Sequence, residues 1–214
     1  MAPTATHITE YDRAAPDPAA TETATFAVGC FWGPDAQFGA LDGVVRTRVG
    51  YAGGTTADPT YHDLGDPTEA VQVDYVPEQR SFRELLELAF QTHDPTKQTR
   101  KTQYQNIVFV ETADQRDALT GFLDAKGYTT DGIATRIEQH PRFHPAEDYH
   151  QKYTLRNKRT LTDAFETAGY DDEAIRESPA AARLNAYAAG HEPPTDTDLR
   201  TTARPPLYTP RTLH

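Results

Sequence analysis

Cys30 is the only cysteine in the chain and Trp32 the only tryptophan, and they sit together in Gly29-Cys30-Phe31-Trp32-Gly33. A sulfur nucleophile needs its thiolate, and a cysteine at the start of a helix lies in the partial positive charge of unpaired backbone N–H groups, which favours that form. The other reading is a small buried filler, the commoner fate of a cysteine taken at random. Flanking glycines weigh against filler, because they let the chain turn sharply and let another molecule approach closely. Phe31 and Trp32 are either core aromatics or the apolar wall of a ligand site beside the sulfur.

The elements that must position this stretch are read from apolar spacing. Phe26-Ala27-Val28 predicts a strand running into it, and Pro34 to Leu41 a short helix leaving it, with proline in the first turn where a missing N–H does no harm. Val45, Thr47 and Val49 alternate with arginines, and Val71, Val73 and Tyr75 alternate with Gln72 and Asp74, giving two more strands. Ser81-Phe82-Arg83-Glu84 has the form of a capping box, and Phe82, Leu85, Leu86, Ala89 and Phe90 then share a helical face. A strand at Ile107 to Val110, a helix at Ala113 to Ala125 and a strand at Ile133 to Ile137 follow. Strand, helix, strand, strand, helix, strand is the order of an α+β, split βαβ (ferredoxin-like) two-layer sandwich, here with a C-terminal helical extension. The division along the chain reads as a mobile leader at 1–23, a catalytic domain at 24–155, a helical extension at 156–189 and a Pro-rich tail at 190–214.

Composition limits the setting. Asp and Glu outnumber Lys and Arg 32 to 21, a formal charge of -11, so nucleic acid would be repelled over most of the surface. With one cysteine no intrachain disulfide or multi-cysteine metal site can form, and no stretch reaches the length of a membrane span, so the reading is a cytoplasmic monomer without a membrane partner. His140, His144 and His150 match no standard zinc spacing, and Asp171-Asp172-Glu173 lacks the glycine and spaced ligands of a calcium loop, so no metal is expected.

Five blocks, in order, carry a resemblance: Gly29-Cys30-Phe31-Trp32-Gly33; Val49-Gly50-Tyr51-Ala52-Gly53-Gly54; His93-Asp94-Pro95-Thr96; Gln103-Tyr104; and Ala146-Glu147-Asp148-Tyr149-His150-Gln151-Lys152-Tyr153. From Phe26 to Tyr153 the chain resembles the A-type peptide-methionine (S)-S-oxide reductases. The resemblance implies that the Cys30 thiolate attacks the sulfur of an oxidised methionine, free or in a peptide or protein, while an acid protonates the sulfoxide oxygen. Methionine leaves and a sulfenic acid stays on Cys30. It implies Glu69, six residues before Tyr75, as that acid, Phe31 and Trp32 as the holders of the methyl group, and Tyr51 and Tyr104 as hydroxyl donors to the sulfoxide oxygen or to Glu69.

Three departures stand out. Asp66-Pro67-Thr68 replaces the family's glycine-histidine pattern before the acid, the loop between Thr96 and Gln103 is shorter with Thr99 where the family has an aspartate, and Gln105-Asn106 replaces Arg-Ser. No second cysteine is present to resolve the sulfenic acid, so no bound cofactor is expected and an outside thiol must restore Cys30: thioredoxin, glutaredoxin or a small thiol. The alternative from another class is a non-catalytic paralogue that binds sulfoxide or senses oxidants through Cys30.

Overall fold

The computed structural model describes residues 3–139 and 142–191. Six strands, β1 (Glu22–Val28), β2 (Val44–Ala52), β3 (Thr68–Tyr75), β4 (Asn106–Val110), β5 (Arg136–Gln139) and β6 (Phe143–Pro145), form one sheet in the order β5-β4-β1-β3-β2-β6. β4 and β5 run parallel and every other neighbouring pair antiparallel. The class is α+β, as the sequence predicts.

β1 supplies Ala24 and Phe26 to one core, where they meet Val71 and Val73 of β3 and Val108 and Val110 of β4. Over them lie α2 (Trp32–Gly39) through Phe38, α3 (Phe82–Gln91) through Phe82, Leu85, Leu86 and Ala89, and α4 (Ala113–Ala125) through Leu119, Phe122 and Leu123. Phe26 stacks on Phe38 with ring centroids 5.1 Å apart, which ties the strand entering the cysteine turn to the helix leaving it. α3 starts where the capping box puts it: Ser81 N–H donates to Glu84 Oε2 at 2.9 Å, and Glu84 N–H donates to Ser81 Oγ at 3.3 Å. Residues of opposite parity, Ala27, Ala70, Ile107 and Phe109, form a second cluster.

Three elements differ from the sequence reading. The segment expected to be a mobile leader holds helix α1 (Ala5–Ala14), whose Ile8 is fully buried among Leu155, Phe165, Ala180 and Leu184. Its start is fixed by Thr4 and His7, each accepting the other's backbone N–H at 3.3 Å, a reciprocal cap in which histidine replaces the usual Glu or Gln. The last large strand begins at Arg136, not Ile133, because Ala134 N–H and Thr135 N–H are drawn to the Pro95 carbonyl at 2.7 and 3.2 Å. β6, three residues long, had no alternating pattern to reveal it. Beyond it, α5 (Tyr153–Arg156), α6 (Arg159–Thr167), α7 (Asp172–Glu177) and α8 (Pro179–Ala188) pack with α1. Asp171 caps α7, accepting Ala174 N–H at 2.8 Å. Of the tail expected at 190–214, residues 192–214 lie outside the described residues.

A fully buried ion pair fastens the C-terminal half to α2. Lys152 Nζ lies 3.1 Å from Asp35 Oδ1 and 2.6 Å from the Thr47 carbonyl. Thr47 Oγ1 donates to Asp35 Oδ1, and Asn185 Nδ2 donates to Asp35 Oδ2 at 3.0 Å. Lys152 is 0% exposed, and burial pushes its ammonium below the ordinary lysine range while Asp35 holds it up. Removing one partner strands the other charge in the core. Lys152→Met should therefore cost about 3–5 kcal/mol of folding stability. Chemical denaturation checks this, and a loss under about 1 kcal/mol would contradict the pairing.

Candidate active site

Gly29, at φ +84°, turns the chain out of β1 in a left-handed conformation that side chains rarely adopt. Cys30 is exposed at that turn, Phe31 is the residue before α2, and Trp32 opens the helix. The Trp32 N–H hydrogen-bonds the Cys30 sulfur, as a helix start allows, and this favours thiolate. Two effects oppose it. Desolvation by the surrounding protein is the largest, and the charge and hydrogen bond of Glu69 add to it, so the net shift of the thiol is upward. The helix start alone predicts a lowered thiol, and burial together with the effect of Glu69 on the sulfur reverses it.

Glu69 comes from β3, opposite Tyr51 in the register with β2, and is 1% exposed. Burial raises its carboxyl, against hydrogen bonds from Gln103, from Phe31 and from Cys30. Phe31 N–H donates to Oε2 at 3.2 Å and Gln103 Nε2 donates to Oε1 at 2.6 Å. The acid expected from position alone is thus held against the cysteine turn itself. Gln103, which the sequence reading quoted in a block without a role, fixes its other oxygen from the 3₁₀ turn Thr102–Tyr104.

The Tyr51 hydroxyl is not bonded to Glu69, one of the two partners the resemblance offered it. Tyr51 is fully buried and donates to Glu147 Oε2 at 2.7 Å, not to Glu69, and its phenol is held well above the ordinary range by burial and by Glu147. Tyr104 faces Tyr61, its phenol is raised by burial and by the Glu69 charge, and Lys101 Nζ lies 4.3 Å from its ring centroid.

Phe31 and Tyr51 lie in one apolar cluster with Val49 and Ala146, and Trp32, Tyr61 and Leu64 pack against it. Trp32 stacks on Tyr153 at 3.7 Å and 6°, and its indole N–H donates to His150 Nδ1 at 3.2 Å. The last sequence block is therefore the frame of the site as well as its wall. Gln151 acts as a surrogate strand: its side chain accepts Val49 N–H at 3.0 Å and donates to the Val49 and Ala146 carbonyls at 2.7 and 2.9 Å. Lys152, at φ +53°, turns the backbone so that Tyr153 meets Trp32.

The remaining blocks hold loops. Gly54 has φ +69° and a Cβ there would lie 2.7 Å from Pro67 N. Asp66 fills the place of the family's histidine region by accepting the backbone N–H groups of Thr55 and Thr56 at 2.8 to 3.0 Å, which keep its carboxyl far below the usual range. His93 bridges the Ala89 carbonyl and Thr135 Oγ1 at 3.0 and 2.8 Å, joining the end of α3 to the approach of β5. Thr99 N–H meets the side chain of Gln98, which also bonds Asn106 and Ala134, so the short loop is tied down without an aspartate. Among the described residues no group of three or more His, Cys, Asp or Glu could hold a metal, and no helix is long and apolar enough to cross a membrane. His140 lies outside the described residues.

Residues 22–181 match the family model described as peptide methionine sulfoxide reductase. The chain belongs to that family. It is 40% identical over 178 residues to peptide methionine sulfoxide reductase A5 of Oryza sativa subsp. japonica, covering 79% of this chain and 69% of the relative. It is 37% identical over 171 residues to the peptide methionine sulfoxide reductase of Drosophila melanogaster, covering 78% and 68%. Among solved structures, Mxr1 of Saccharomyces cerevisiae in reduced form matches with a TM-score of 0.56 at 29% identity, covering 66% of this chain and 88% of that one. Methionine sulfoxide reductase A of Corynebacterium diphtheriae matches at 0.54 and 33%, covering 64% and 76%.

The site's electrostatics make a direct prediction for pH. Because the Glu69 charge opposes ionisation of Cys30, Glu69→Gln should lower the midpoint of the thiolate titration. Iodoacetamide alkylation rates measured against pH report that midpoint. An unchanged or higher midpoint in the variant would show that Glu69 does not act on the sulfur.

Proposed function

We propose that this chain reduces the S epimer of methionine sulfoxide at Cys30, with Glu69 as the proton donor and an external thiol as the final reductant. The observation that carries the reading is the contact of a buried, raised carboxyl with the cysteine turn: Glu69 accepts the Phe31 N–H at 3.2 Å, one residue from Cys30, and its charge acts on the thiol. A carboxyl whose protonated form is favoured by burial beside a sulfur is suited to give its proton to an oxygen bound next to that sulfur. Phe31 and Trp32 would seat the methyl group, and Tyr104, at the rim with Tyr61, would contact the sulfoxide side.

The balance is simple. The Cys30 sulfur attacks the sulfoxide sulfur, the Glu69 proton goes to the sulfoxide oxygen, and the hydroxyl is transferred to Cys30 as methionine departs. Two electrons pass from Cys30 to methionine. A thiol then attacks the sulfenic sulfur, expelling water and forming a mixed disulfide that a second thiol reduces. Thioredoxin, glutaredoxin and small thiols all fit this chemistry. We read the inner strands, β4-β1-β3-β2, with α2 and α3 as their crossovers, as the split βαβ core, a reading supported by the strand order.

Turnover of a methionine S-sulfoxide peptide with dithiothreitol tests the function. Multiple turnovers are expected with the S epimer and none with the R epimer. Binding of sulfoxide, or oxidation of Cys30, without methionine release would favour a sensing protein instead.

A further inference from the structure

Tyr51 has one hydroxyl proton, and it is already given to Glu147 Oε2 at 2.7 Å. A phenol so engaged offers only lone pairs to a sulfoxide, whose oxygen needs donors. The other oxygen of Glu147 accepts Tyr61 N–H at 2.9 Å. Three residues further along the same turn lies His150, whose side chain is 2% exposed. Indole N–H can only donate, so the bond from Trp32 to His150 Nδ1 makes that nitrogen the acceptor. Burial pushes His150 below its ordinary range, so the ring is neutral and its single proton sits on Nε2. That Nε2 is buried and has no hydrogen-bond partner. Its near acceptor is Glu147 Oε2 at 3.9 Å, beyond hydrogen-bond reach. A buried N–H left unmade is costly, and a native structure that keeps one calls for a reason.

Glu147 Oε2 therefore faces two donors and serves one. We propose that Glu147 is a positioning residue that changes partner when sulfoxide binds: its Oε2 leaves the Tyr51 hydroxyl for the His150 Nε2–H, and the freed Tyr51 proton hydrogen-bonds the sulfoxide oxygen. One internal bond is exchanged for another, and the new bond to substrate is the gain. Glu147 stays a carboxylate throughout: against the desolvation of its partial burial, Tyr61 N–H and Tyr51 hold it below the usual range. Tyr51, raised by burial and by Glu147, keeps its proton to share. The bond from Trp32 to Nδ1 is what aims Nε2 at Glu147, so the indole that would seat the methyl group also sets the tautomer that drives the exchange.

The proposal rests on reduction at Cys30, and its test is a double-mutant cycle on the single-turnover reductase step. His150→Asn keeps an oxygen where Nδ1 accepts the indole N–H and removes the Nε2 donor. It should slow methionine release by roughly tenfold, the equivalent of one hydrogen bond, and should have no further effect in a Tyr51→Phe background. A rate equal to wild type, or the same loss in both backgrounds, overturns the exchange, because a merely structural role would be additive. Should His150→Asn fail to fold, a crystal of Cys30→Ser protein with L-methionine S-sulfoxide decides. Glu147 Oε2 within hydrogen-bond reach of His150 Nε2 supports the proposal, and an intact Tyr51–Glu147 bond in that complex overturns it. If Cys30 were not the reacting group, Cys30→Ser protein would still release methionine, which separates that failure from this one.

Discussion

Cys30→Ser should abolish methionine release from S-sulfoxide while leaving the fold intact. Serine keeps the size and the hydrogen bond to the Trp32 N–H, but its hydroxyl ionises far above neutral pH and its oxygen cannot accept the sulfoxide oxygen as a sulfenic acid. Cys30 is exposed at the turn, so thermal unfolding should shift little. The assay is methionine release with and without dithiothreitol, alongside circular dichroism. Activity surviving in a folded Cys30→Ser protein would remove the nucleophile from the account.

The second large effect is at Glu69. Glu69→Gln keeps the shape and removes the proton, so the reductase step should slow by roughly 10² to 10⁴-fold, the range of a lost general acid. Stability runs the other way. Burial raises the Glu69 carboxyl in the fold above its unfolded value of 4.5, so the protonated form is favoured and the fold loses stability as pH rises from that value through the folded one. The glutamine variant has no such titration. Its stability relative to wild type should therefore be greater at pH 7 than at pH 4, measured by urea unfolding at both. A near-normal single-turnover rate across the pH range would show that another group donates the proton.

How much of this was visible in the sequence follows from which forces leave a local trace. The strands flanking Cys30 and helices α3 and α4 were legible because periodic apolar residues and a Ser81/Glu84 cap are local patterns. Helix α1 was not, because its one fully buried apolar residue, Ile8, is buried by partners more than 140 residues away, and its cap uses a histidine. Glu69 was found only through its place in a collinear pattern. Its neighbours Gln103 and Phe31 N–H come from distant turns, so the upward shift of Cys30 could not be read from the helix start alone. Glu147, Gln151 and Lys152 stand in the last sequence block without a role, yet Gln151 and Lys152 are fully buried. Their burial is a property of the β2 and α2 surfaces they land on, which no local window contains.

The central claim is that the oxygen of the sulfoxide ends on Cys30 and that no group in this chain can remove it. Mixing the protein with excess methionine S-sulfoxide peptide in the absence of any reductant, and following methionine release together with the mass of the Cys30 peptide, tests it most directly. About one methionine per chain should appear and then release should stop, with one added oxygen on Cys30 that dimedone traps, and added thiol should restart turnover. Continued release without reductant, or a Cys30–Cys30 disulfide between chains forming as fast as the first methionine, would contradict the account.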